Sequence, residues 1–158
     1  MAVFKIGEFI NMAIKDEETG IAFYRALGEV ADNLLVKKTC ERLAAQEEIH
    51  ANRFRRMFEE VGLETPKKEE YDGQYEQYLN YLLSSRAFPN PSDAAKKASQ
   101  SMNAKDSIEI AMDMEKDALL FYGEIVKLIP DTHAKYVEDI IAEERGHLQD
   151  LYAIWEQL

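Results

Sequence analysis

Ala44-Ala45-Gln46-Glu47-Glu48-Ile49-His50 and Ile141-Ala142-Glu143-Glu144-Arg145-Gly146-His147 decide how this chain folds. Each heptapeptide ends in a histidine that follows a glutamate by three residues, and side chains three apart on a helix share a face. Both pairs interrupt an apolar stripe of helical period. The first stripe is Val36, Cys40, Leu43, Glu47, His50, Phe54, Met57 and Val61. The second is Val137, Ile140, Glu144, His147, Leu151, Ile154 and Leu158. The polar residues stand where a helix facing a core would otherwise carry Leu or Ile.

Each stripe is preceded by another of the same period. Ile10, Ile14, Glu17, Ile21, Tyr24 and Leu27 mark a helix from about Gly7 to Val30, and Ile108, Met112, Glu115, Leu119, Tyr122, Val126 and Ile129 mark one from Asp106 to Pro130. Asp32 and Asn33 break the first helix and can cap the second, Gly62 is a natural stop, and Asp131 or Thr132 can cap the fourth helix. Short links make each pair an antiparallel hairpin. The hairpins are also duplicates. AIKDEETGIAFY (Ala13 to Tyr24) lies over AMDMEKDALLFY (Ala111 to Tyr122), and Glu17 to Glu47 spans 30 residues where Glu115 to Glu144 spans 29. The expected fold is all-α: one domain over residues 1–158, a four-helix bundle of two hairpins (about 5–62 and 105–158) joined by a long crossover (about 63–104). Tyr71, Tyr75, Tyr78 and Leu82 predict a short helix in the crossover, and Asn90-Pro91-Ser92-Asp93 predicts the start of another, with proline in its first turn.

Four carboxylates in a hydrocarbon core each cost several kcal/mol unless compensated, and the stripes hold no Lys or Arg to pair with them. Two divalent cations would balance the charge, with His50 and His147 completing the shells. One Glu from each of two helices plus Glu-x-x-His from the other two is the ligand pattern of di-iron and di-manganese carboxylate bundles. Glu18 and Glu48 fall one residue off the stripes, where the repeat offers Lys116 and Arg145, so they read as surface charges. Tyr24 and Tyr122 follow Glu17 and Glu115 by two turns. Their hydroxyls reach a carboxylate or a water, or their rings simply fill the core.

On the Glu-x6-Tyr and Glu-x-x-His pairs, the two hairpins resemble the ferritin-like superfamily and most closely its rubrerythrin-type members. The resemblance implies Glu17, Glu47, His50, Glu115, Glu144 and His147 as ligands of two iron ions, with Glu47 and Glu144 bridging. It further implies an oxidoreductase that reacts with O2 or peroxide and takes electrons from a separate donor such as a rubredoxin-like protein. Carboxylate and imidazole donors suit iron or manganese better than softer metals. The chain departs from the pattern in having one cysteine, Cys40, and hence no rubredoxin-like site. A further carboxylate three residues after the helix-three Glu is replaced by Ala118. A ferritin-like ferroxidase that stores iron and a hydroxylase of an organic substrate are the competing functions.

Bulk properties narrow the partners. A net charge of -11 over 158 residues argues against a nucleic-acid partner, which requires a basic face. No apolar run approaches the roughly 20 residues that span a bilayer, and the N-terminus meets acidic residues too early for a signal peptide, so a cytoplasmic protein is expected. Cys40 reads as a small buried hydrophobe, His133 as a surface residue and Trp155 as core or interface. The Tyr71–Tyr81 stripe suggests a homodimer, or packing on the bundle.

Overall fold

The computed structural model describes residues 5–66, 73–100 and 103–158. Six helices follow one another: α1 (Ile6–Val30), α2 (Leu34–Val61), α3 (Gly73–Ser84), α4 (Pro91–Ser99), α5 (Ala104–Leu128) and α6 (Asp131–Trp155). α1 pairs with α2 and α5 with α6, α1 also meets α5, and α2 meets α6, which makes a four-helix bundle. The crossover helices lie outside it, α4 against α1 and α3 against α5. No helix among the described residues is long and apolar enough to cross a membrane.

Capping explains most of the boundaries. Asn33 Oδ1 accepts from the backbone N–H of Leu35 at 2.9 Å and of Val36 at 3.2 Å, satisfying donors that a helix start leaves open. Asn90 does the same for Asp93 at 2.9 Å, with Pro91 in the first turn where its missing N–H costs nothing. Three boundaries differ from the sequence expectation. α5 starts at Ala104 because Asn103 caps it through Lys105 N, and it stops at Leu128, two residues short of Pro130. α6 has no side-chain cap from Asp131 or Thr132. Pro130 is its N-cap, its carbonyl accepting from His133 and Ala134, and Asp131 lies within the first turn. Gly62 ends α2 without a left-handed turn, at φ -61°. The close approach here belongs to Gly7, whose N donates to Gly62 O at 3.0 Å and whose Cβ, if present, would stand 2.7 Å from that oxygen.

The stripes of α2 and α6 are buried throughout apart from Leu158. On α1 and α5 the buried face is wider and rotated. Ile14, Ile21, Met112, Leu119 and Val126 are half-buried, while Ala13, Phe23, Ala111, Phe121, Ile125 and Leu128 are buried. The cause is tertiary, since α4 and α3 cover faces of α1 and α5 that a bare four-helix bundle would leave to solvent. Phe23, for example, packs against Phe88 of the crossover with ring centroids 5.8 Å apart.

Two hydrocarbon clusters result. One gathers Ile10, Phe54, Met57, Ile125, Val137 and Ile140 among others, the second Leu27, Val36, Leu43, Ile108, Leu151 and Ile154. On every long helix the polar stripe residues fall between the two. Burial of each large apolar side chain contributes about 1.5–3 kcal/mol, and these flanking layers offset the cost of the polar layer they enclose.

In the crossover, Leu79 is buried and Tyr75 donates to Glu124 Oε2 of α5 at 2.7 Å, whereas Tyr78 and Tyr81 are exposed. Tyr71 lies outside the described residues. His133 is less exposed than expected: its Nε2 meets Glu60 Oε2 at 2.7 Å and its ring packs beside Tyr136. Trp155 is half-buried beneath Lys105, its Nε1–H donating to Glu109 at 2.8 Å. Cys40 is fully buried, which pushes its thiol pKa up to about 12.

Candidate metal centre

Glu17 comes from α1, Glu47 and His50 from α2, Glu115 from α5, and Glu144 and His147 from α6. The fold brings all six together, and none is more than 4% exposed. They fall into two overlapping quartets whose donor atoms lie within 4.8 Å of one another: Glu17, Glu47, His50 and Glu144, and Glu47, Glu115, Glu144 and His147. Glu47 and Glu144 belong to both.

The atoms show why. His50 Nδ1 stands 2.7 Å from Glu144 Oε1, 3.3 Å from Glu47 Oε2 and 3.6 Å from Glu17 Oε2. His147 Nδ1 stands 2.9 Å from Glu144 Oε2, 3.1 Å from Glu47 Oε1 and 3.8 Å from Glu115 Oε2. Glu47 and Glu144 thus each turn one oxygen to either histidine, and the two rings are stacked with centroids 5.5 Å apart. Glu144 Oε1, despite its 2.7 Å approach to His50, makes no hydrogen bond of acceptable geometry. Of these approaches, hydrogen bonds join only His50 Nδ1 to Glu47 Oε2 and His147 Nδ1 to Glu144 Oε2, so most converge without pairing, which suits a shared cation. Among the described residues, the ion pairs of these four carboxylates are with the two histidines alone. The set therefore fits two hard or borderline divalent metals.

Without a cation, crowding shifts the titration of most of these groups. Burial and then the charges of Glu144, Glu115 and Glu17 raise Glu47 well above the carboxylate range, and burial with the Glu144 charge lifts Glu115 to about 8. Burial works against a charged imidazole, yet the surrounding carboxylates outweigh it, raising His50 and lifting His147 to about 12. Burial works against the Glu144 charge, but the two imidazoles beside it outweigh that and hold it below the ordinary carboxylate value.

Tyr24 and Tyr122 do both things expected of them. Each ring is at most 1% exposed, and each hydroxyl donates to a carboxylate: Tyr24 to Glu115 Oε1, Tyr122 to Glu17 Oε1 at 2.5 Å. Each tyrosine thus holds the glutamate of the opposite hairpin. Burial and the neighbouring carboxylates raise both phenol pKa values, keeping the hydroxyls as donors. Glu18 and Glu48 are exposed and pair with Arg55 and Arg25.

The family model for rubrerythrin matches residues 8–154. The chain belongs to the rubrerythrin family. Among solved structures it is similar to a ferritin-like diiron-carboxylate protein from Thermotoga maritima, with 29% identity and a TM-score of 0.70 over 99% of this chain and 97% of that one. A hypothetical protein from Pyrococcus furiosus shares the fold at 23% identity and a TM-score of 0.65, over 99% of this chain and 91% of that one. No curated protein sequence matches.

This rubrerythrin-family centre also uses residues that the sequence reading passed over. His50 Nε2 meets Glu143 Oε2 at 2.8 Å, and Arg53 Nη1 donates to Glu143 Oε1 at 2.8 Å. The available signal was a break in the repeat, since Glu143 aligns with Gln46 and Arg53 with Asp150. A cavity of about 50 Å³ reaches Glu17, Glu47, Glu115 and Glu144, with Gly20 and Ala118 on its wall. Arg86 of the crossover lines it, paired with Asp16 and lying over the Phe121 ring at 4.3 Å. The crossover has no counterpart in the duplication, so no internal comparison could single Arg86 out.

Proposed function

We propose that this chain is a di-iron carboxylate oxidoreductase that reacts with O2 or hydrogen peroxide and draws electrons from a separate donor such as a rubredoxin-like protein. The observation that carries the reading is the pair of buried quartets sharing Glu47 and Glu144. Bound there, a pair of irons would supply the redox electrons. Glu47 and Glu144, common to both donor groups, would help hold both ions, with Glu17 and His50 holding one and Glu115 and His147 the other. Carboxylates suit this work because they tolerate a change of metal charge while keeping the site near neutrality. Tyr122 and Tyr24 hold Glu17 and Glu115 in place, and the hydrocarbon layers above and below exclude bulk water.

The size of the cavity supports a small oxidant. About 50 Å³ accommodates a few water-sized molecules, O2 or a peroxide. Its small residues, Gly20 and Ala118, occupy equivalent positions three after Glu17 and Glu115, leaving that space clear of a further carboxylate.

Anaerobic loading with ferrous iron, then rapid mixing with O2 or hydrogen peroxide, tests this function. We expect about two irons per chain and a prompt rise of near-ultraviolet absorption as the iron is oxidised. A stoichiometry near one or zero, or inertness to both oxidants, would sink it.

A further inference from the structure

The two half-sites carry identical ligand types but different support. His50 is engaged at both ring nitrogens. Nδ1 faces the carboxylates, and Nε2 lies 2.8 Å from Glu143 Oε2, which as a carboxylate oxygen can only accept. A metal bound at Nδ1 would displace the proton there, leaving the ring proton on Nε2, where Glu143 accepts it. Glu143 is itself held, because its other oxygen accepts from Arg53 Nη1 at 2.8 Å. His147 presents Nδ1 in the same way, but its Nε2 is buried and without a hydrogen-bond partner among the described residues. The position equivalent to Glu143 is Gln46, whose side-chain oxygen already accepts from Arg42 at 3.0 Å, and Arg42 goes on to Asp150 at 2.7 Å. Beside His147 the repeat has substituted an uncharged, committed amide for a carboxylate.

We infer that Glu143, anchored by Arg53, is a positioning residue that fixes the tautomer and ring orientation of His50, making the Glu17–His50 half the tighter of two unequal metal positions. The inference rests on the metal-binding reading above. A carboxylate on the far nitrogen of a ligating imidazole orients the ring and strengthens its lone pair, and losing such a partner typically costs about 10- to 100-fold in metal affinity. Nothing equivalent serves His147, so the halves fill in order.

The test is titration of the metal-free protein with cobalt(II), followed by calorimetry and by visible absorption of the bound ion. Wild type is expected to bind in two steps separated by about ten-fold or more. Glu143→Gln is expected to weaken the tighter step by about 10- to 100-fold and bring the two together. Glu48→Gln, which removes the same charge from the surface beside Glu47, should leave the ratio of the steps unchanged. Should Glu143→Gln fail to fold, Gln46→Glu decides: a narrowed gap, through tightening of the weaker step, supports the inference, and an unchanged gap overturns it. Two equal steps in wild type, or Glu143→Gln weakening both steps alike, would overturn the inference alone. Failure to bind cobalt at all would overturn the metal-binding reading and the inference with it.

Discussion

Hairpin α1–α2 and hairpin α5–α6 carry the same chemistry on the same spacing, yet the fold treats them differently. α1 is roofed by α4, with Phe23 against Phe88, whereas α5 is flanked by α3, with Tyr75 bonded to Glu124. His50 is held at both nitrogens and His147 at one. The carboxylates divide otherwise: Glu47 and Glu144 serve both halves, while Glu17 and Glu115 serve one each. Duplication can copy ligands within a hairpin, because ligands depend on local spacing. Support reaches across from the other hairpin or from the crossover, so it is free to diverge.

The largest expected effect would break that division of labour. Glu47→Ala or Glu144→Ala removes a donor from both quartets and should reduce iron content from about two per chain to near zero. Glu17→Ala or Glu115→Ala removes a donor from one quartet and should leave about one iron. Metal analysis after anaerobic loading checks this, and equal losses from all four variants would refute the distinction.

A smaller effect concerns what the halves have in common without metal. Glu47 and Glu115 are raised above the ordinary carboxylate value of 4.5, Glu115 to about 8, and His147 is raised from 6.5 to about 12. Between pH 4.5 and 8 the folded protein therefore binds more protons than the unfolded chain, and stability falls as pH rises. The lowered value of Glu144 acts in the opposite sense, but below that window. Thermal melting of the metal-free protein should decline by about 5 °C or more from pH 5 to 8, at roughly 2–4 °C per kcal/mol for a chain of this length. Bound metal displaces those protons, so the loaded protein should show a flatter profile. A metal-free melting temperature that rose over this range would contradict the sign.

Last come the crossed tyrosines. Tyr24→Phe releases Glu115, and Tyr122→Phe releases Glu17. Each should lower stability by about 1–3 kcal/mol, the cost of leaving a buried hydrogen-bonding group without its partner. Denaturant unfolding of the metal-free variants measures it, and a change below about 0.5 kcal/mol in both would mean that the rings act only as filler.

Much of this protein was legible in its sequence, and the reason is periodicity. Among the described residues, neither crossover helix packs mainly on α2 or α6, so their stripes follow the helical period and almost every predicted inward position is buried. α1 and α5 were read less well, with Ile21 and Leu119 half-buried and Phe23 and Phe121 buried instead, because α4 and α3 add a second covered face. α5 starts earlier than expected because Asn103 caps it, and Pro130 takes the N-cap place expected of Asp131 or Thr132 in α6.

By itself, the sequence determined the all-α class, the paired hairpins and the six buried polar residues, since each follows from spacing along a single helix. The tertiary structure alone decided which oxygen faces which histidine, that each tyrosine holds the opposite hairpin's glutamate, and that Glu143 supports His50. It also placed Arg86 on the wall of the cavity. The tyrosine and Glu143 contacts join residues 91 to 105 positions apart in the chain, and Arg86 comes from a crossover without internal repeat. Their geometry is set by how the helices pack against each other, which no periodicity within one helix encodes.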